Sequence, residues 1–278
     1  ASGAAAVISS VTTAANLAAI RNGARRLFTM DLRSGSIGVE ANQIQSIALA
    51  AKHGFESVTP DPYYAASLDA AGRRQLVDTL KQNGLVWGSA GMPVEFRKDE
   101  QTFQDGLRAF PVQAKAMQDC GVTRFGTWLR PSHDDLTYMQ NFKQHARRLR
   151  ECAKVAGDHG QRFGLEYVGP KTLWASGKHS FIHSLAEAKD LLSEINHGSM
   201  GFVLDSWHWY TAHESVDDLK TLTNKDIVAC DLNDAPVGIE IDQQIDNQRE
   251  LPSATGVIDL KSFLTTLLEI GYDGPIRS

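Results

Sequence analysis

Cysteine is scarce in this chain of 278 residues, and its three thiols show no organisation. Cys120, Cys152 and Cys230 form no C-x-x-C pair and no Cys/His cluster. That excludes a zinc ribbon, a thioredoxin-type motif and a disulfide framework, and the three read as reduced, partly buried thiols. Basic charge is lacking too, since 28 Lys and Arg against 33 Asp and Glu leave a net charge of −5. Nucleic acid and anionic membrane surfaces therefore have no cationic footprint to meet. No run is long and apolar enough for a bilayer span; the Ala-rich start "ASGAAAVISSVTTAANLAAI" is too polar and broken. A glycine-rich phosphate turn is also absent, because the first apolar run leads into "MDLRSGSIG" without a G-x-G-x-x-G. A doubly wound nucleotide-binding sheet loses its main signature with it.

What remains is an ordinary globular composition, 42% apolar and 22% charged. Short apolar runs at 27–32, 55–60, 85–91, 122–129, 162–168, 200–205 and 226–232 alternate with helical stretches, several of which stop at Gly. Pro111 is expected to kink or divide the helical stretch at 103–121. "GPIRS" opens an eighth strand, so a last helix is expected to be missing. Strand–helix alternation over about 250 residues is the pattern of a closed (β/α)8 barrel, here one domain at 27–278. Residues 1–26 read as an N-terminal extension, either the remains of an export signal or an arbitrary boundary. A cytoplasmic location is slightly favoured, with export the alternative.

In such a barrel, chemistry sits at the C-terminal ends of the strands. Strand five, "FGLEYVGP", ends near Glu166; strand six offers Asp205 with His208 in its loop; strand seven, "IVACDLNDAP", offers Asp231 and Asp234. Carboxylates gathered at one end of adjacent strands repel, and a divalent cation relieves them. Oxygen donors favour Mg²⁺ or Mn²⁺, while the imidazole keeps Zn²⁺ or Co²⁺ open. Each residue alone has a plainer role: Asp205 capping the next segment, Asp231 pairing with Arg249, Glu166 bridging to Lys171. Glu95, Trp128, Arg130 and Lys171 stand where a substrate would be reached. Trp207 and Trp209 are either an aromatic wall for a sugar or core packing. The remaining histidines, His145 among them, read as surface, with His133 and His179 as exceptions.

The stretches "GLEYVGP", "LDSWHWY", "LNDAP" and "GVIDLKSFLTTLLEIGYDGPI" resemble the xylose isomerase-like TIM barrel family of sugar phosphate isomerases and epimerases. The resemblance covers roughly 27–278. It implies metal ligands at Glu166, Asp205 and Asp231, with Glu166 also a proton-transfer base, His208 contacting substrate oxygens, and Arg249 contacting substrate. Many members carry His where this chain has Asp231, and the family's fourth ligand, a Glu after strand eight, would fall beyond Ser278. The implied activity is metal-dependent isomerisation or epimerisation of a small sugar or polyol ketone through a cis-enediolate. An inosose-type dehydratase and a non-catalytic sugar-binding barrel are the alternatives. The family's nuclease branch, with its histidine-rich three-zinc site, matches neither the charge nor the strand ends. A homo-oligomer is compatible with all of these.

The loop "NDAPVGIEIDQQIDNQRELPSATG" sets an expectation about substrate charge. Asp234, Glu240, Asp242, Asp246 and Glu250 face a single cation, Arg249, and would repel a phosphate. An unphosphorylated ligand is therefore expected, unless these side chains turn to solvent and leave the "SATG" turn free to bind phosphate.

Overall fold

Strand β7 (Arg162–Glu166) and strand β9 (Met200–Asp205) are almost wholly buried, as expected where a parallel sheet is covered on both faces. They belong to a computed structural model that describes residues 25–278. Around them lie β1 (Thr29–Leu32), β2 (Ser57–Val58), β3 (Val86–Trp87), β4 (Ala90–Gly91), β5 (Arg124–Trp128), β10 (Ile227–Asp231) and β11 (Pro275–Arg277). All pair in parallel in the order β3-β2-β1-β11-β10-β9-β7-β5-β4. Only Gly88 and Ser89 separate β3 from β4, so these two segments are halves of one stave. The first half bonds to β2 and the second to β5. Eight staves thereby close on themselves, and the (β/α)8 barrel expected from the alternation is what the chain forms.

Glycines let the staves crowd inward. Gly164 on β7 is one such position, where a Cβ would lie 2.9 Å from Val203 Cγ2 and 2.9 Å from Val228 Cβ. Helices form the outer layer, and their starts follow local chemistry. Asn42, Asp61, Asp69, Asp99, Ser184 and Asp259 each accept a backbone N–H from the first turn of the helix they precede.

Three expectations need correction. Pro111 does not divide its helix, which runs unbroken over Glu100–Asp119 from its Asp99 cap. The buried stripe of Phe103, Phe110, Ala114 and Met117 outweighs the one backbone bond that proline forfeits. His145 is not on the surface: it is 3% exposed, packed between Phe96 and Phe181. The cysteines are fully rather than partly buried, and free. A two-stranded antiparallel pair, β6 (Ser132–His133) with β8 (His179–Ser180), was not foreseen; it joins the loops after the fourth and fifth staves and sets His133 opposite His179. Among the described residues no helix is long and apolar enough to cross a membrane. The extension at 1–26 lies almost entirely outside the described residues.

Candidate active site at the C-terminal mouth of the barrel

Backbone pairing sets the site in one layer. Trp128 of β5 is the register partner of Glu166 on β7, and Asp231 on β10 is the partner of both Asp205 on β9 and Arg277 on β11. Each of these residues lies at the C-terminal end of its strand, where the following loop leaves the sheet open.

Glu166 is the pivot. It lines three adjoining cavities at the mouth, of about 470, 190 and 340 Å³. Its carboxylate accepts no hydrogen bond among the described residues; the nearest cationic or imidazole nitrogen is His208 Nε2 at 3.9 Å. Burial, followed by the Asp205 and Asp231 charges, holds its proton affinity well above that of an ordinary carboxylate. Donor atoms of Glu166, Asp205 and His208 lie within 4.8 Å of one another, a grouping able to hold a metal ion.

Asp205 serves two purposes at once. Its Oδ1 accepts from Trp207 N at 2.7 Å and caps the short helix Ser206–Thr211, while Oδ2 accepts from Arg249 Nη1 at 2.7 Å. Asn233 Nδ2 donates to both oxygens. Burial opposes ionisation of Asp205, but Arg249 and the other donors outweigh it and hold the carboxyl below its usual range. Arg249 is fixed in turn by Asp246, at 2.5 Å from Nη2.

His208 is buried, and burial lowers its pKa to about 4, leaving a neutral ring. A neutral imidazole has one N–H and one lone pair. Two donors approach it at 3.3 Å, Gly169 N at Nδ1 and Arg249 Nη2 at Nε2, and a neutral ring accepts from only one. The buried backbone N–H of Gly169 has no other acceptor among the described residues, whereas Arg249 Nη2 also reaches Asp246, which places the lone pair on Nδ1 and the proton on Nε2. His208 is therefore arranged to donate into the site.

The other expected residues divide. Asp231 is outside the close cluster: Arg277 donates to both of its oxygens, at 2.6 and 3.0 Å, so its partner is Arg277 and not Arg249. Trp128 is 45% exposed and lines the cavity, with the Arg97 guanidinium 4.4 Å from its ring centre. Arg130 lines the cavity on the same side. Glu95 stands behind, pairing with Arg97 at 2.8 Å. Lys171 does not bridge to Glu166; its Nζ reaches Asp242 at 2.7 Å, outside the cavity. Trp207 and Trp209 are core residues.

The loop after β10 does not act as its charge suggested. Asp242 binds Lys171 and His213, while Glu240 and Glu250 are exposed. Of the five acids, Asp246 alone lines one of the three cavities at the mouth. The "SATG" turn is nevertheless not free: Asp234, fully buried, accepts from Thr255 N, Gly256 N, Ile258 N and Ala235 N at 2.8–3.0 Å. The repulsion argument against a phosphate fails here, and a filled backbone cup takes its place.

Sequence reasoning missed Asp31, Arg33, Arg97 and Arg277. Asp31, at the end of β1, is 3% exposed, with Thr59 Oγ1 on Oδ2 at 2.8 Å and Oδ1 without a partner. A Cβ on Gly88 would lie 2.2 Å from that Oδ1, so glycine is what admits the carboxylate. An acid near the end of the first strand was the available signal. The arginines gave none, because their direction depends on the closed barrel.

A closed (β/α)8 barrel with carboxylates and an imidazole converging at its C-terminal mouth defines the class of protein. The chain belongs to the xylose isomerase-like TIM barrel family, whose profile matches residues 47–277. An inosose isomerase of Bacillus velezensis is 24% identical over 246 residues, which cover 84% of this chain and 81% of that protein. Among solved structures, a xylose isomerase domain protein from Alicyclobacillus acidocaldarius is 31% identical with a TM-score of 0.77, over 86% of this chain and 84% of that one. The IolI protein, crystallised with a zinc atom, superposes with a TM-score of 0.72 at 19% identity, over 90% of this chain and 88% of its own.

Proposed function

We propose that the chain is a metal-dependent isomerase or epimerase of a small sugar or polyol ketone. The observation that carries this reading is Glu166, a carboxylate sunk in the mouth with no hydrogen-bond donor among the described residues, beside a second buried acid. Such a group is costly without a cation. The donor set fits a divalent ion. Glu166 has free oxygens and Asp231 keeps unused lone pairs beside Arg277, because a carboxylate has about four acceptor sites. Asp205, whose sites take Trp207 N, Asn233 Nδ2 and Arg249 Nη1, would join as a ligand when one of those donors gives way. Mn²⁺ or Mg²⁺ suits these oxygens, and the zinc of IolI occurs in a barrel of the same fold. When bound, the ion supplies electrophilic polarisation of a ketone and its neighbouring hydroxyl. The inosose isomerase relative supports the same reaction class.

The chain's own residues divide the remaining work. Glu166 lies where it can take a proton from the carbon next to the ketone. His208 donates from Nε2 to a substrate oxygen, and Arg249, held by Asp205 and Asp246, presents a fixed positive charge beside it. Trp128 offers an exposed ring for the apolar face of a polyol.

Two measurements test this. Calorimetric titration of metal-stripped protein should show one divalent site, weakened at least about 100-fold in Glu166→Gln and Asp205→Asn variants, while His208→Gln retains it. Proton exchange in D₂O at the carbon beside the ketone should appear with ketoses or an inosose and vanish in Glu166→Gln. Binding without exchange would reduce the protein to a sugar-binding barrel, and release of water would make it a dehydratase.

A further inference from the structure

Arg97, Arg249 and Arg277 are each paired with an acid at the mouth, and two exposed guanidiniums, Arg33 and Arg130, have no acid partner among the described residues. The 470 Å³ cavity, toward β5 and β6, is balanced, with Arg130 and Arg249 against Glu166 and Asp246. The 190 Å³ cavity, toward β1, β4 and β5, has Arg33, Arg97 and Arg277 against Glu166 and Asp231. Arg277 is committed to Asp231, and Arg97 to Glu95, Thr127 Oγ1 and the Trp128 carbonyl. Arg33 has no side-chain partner among the described residues, yet it lines both this cavity and the 340 Å³ one beside Asp205. Gly91 and Gly126 form part of the wall, and the position beside Gly91 is open space.

We infer that the substrate bears a carboxylate, received by Arg33 on the β1 side of Glu166, so that the sugar is a polyhydroxy keto acid. This rests on the isomerase reading for the position of the ketone. A divalent ion bound at Glu166 would add two positive charges beside Arg33 and favour an anionic group there. The anion is a carboxylate for a physical reason. Phosphates in such barrels are gripped by backbone N–H groups in the loops after strands seven and eight. Here Asp234 occupies, from within the chain, the donors of the loop after the seventh stave. The donor on the β1 side is the Arg33 guanidinium, whose planar fork matches a carboxylate's two oxygens.

The test is a set of titrations of the metal-loaded protein with a neutral ketose, the keto acid of the same carbon skeleton, and the ketose phosphate. The keto acid should bind at least about tenfold more tightly than the ketose, the scale of one charge-assisted contact. Arg33→Gln should erase that preference, while Arg33→Lys, which keeps the charge and loses the planar fork, should keep part of it. Equal binding of ketose and keto acid, tightest binding of the phosphate, or a preference that survives in Arg33→Gln would each overturn the inference. Carbon-bound proton exchange in D₂O is read separately. Its absence with the keto acid bound would remove the isomerase reading and leave the carboxylate site standing.

Discussion

His145 shows how a side chain far from the chemistry governs behaviour in acid. Burial holds its pKa down at about 4, against 6.5 for a free imidazole, and Nε2 has no partner. Between those values the unfolded chain binds the proton more readily, so stability is complete above about 6.5 and falls as pH drops toward 4. The full effect is about 3 kcal/mol at about 1.4 kcal/mol per unit. His145→Leu should flatten the dependence of Tm on pH between 7 and 5; an unchanged slope would assign the acid sensitivity elsewhere. Asp31 slopes the other way, since burial raises it to about 6 and stability falls as pH rises from 3.8 to that value. Such residues were hard to read. One histidine on an amphipathic helix does not reveal which face it takes, whereas Glu166, Asp205 and Asp231 were legible because each closes a recognisable apolar run.

Among the elements, β7, β9 and β10 were readable because five or six consecutive residues go into a parallel sheet. The β6–β8 pair was not, since two residues per strand carry no periodicity and their partners, Ser132 with Ser180 and His133 with His179, lie far apart in the chain. The helix through Pro111 misled for the opposite reason, a strong local signal overruled by packing. Crowding inside the sheet gives a direct prediction. Gly164→Ala should destabilise the protein by about 1–3 kcal/mol, because its methyl group meets Val203 and Val228. Pairing it with Val203→Ala should recover part of the loss in a chemical melt, and no recovery would point to backbone rather than side-chain conflict.

The barrel as a whole closes through its last stave, where β11 pairs with β10 on one side and β1 on the other. At that seam Arg277 and Asp231 form a bidentate pair, with Arg277 8% exposed. Removing one partner strands the other, so Asp231→Ala should cost about 3–5 kcal/mol. Adding Arg277→Met should return much of that in a double-mutant cycle; additive losses would show that the two residues act independently. This arrangement explains a limit of sequence reading. A one-dimensional chain displays carboxylates at strand ends, but which cation faces each one is decided only when the first and last staves meet.

Asp234 has a consequence for chemical complementation. Its carboxylate is a resident anion seated in a nest of four backbone amides, and burial is outweighed by those bonds, which keep it ionised. An Asp234→Gly variant would leave the nest intact in outline with its guest removed. Formate or acetate in the buffer should then bind there and raise the variant's Tm in a saturable way, with little effect on the parent protein. Phosphate should do the same if the vacated space admits a tetrahedral ion, turning a strut of the loop into an acquired receptor. A variant indifferent to all three anions would mean that the loop collapses once its internal salt is gone.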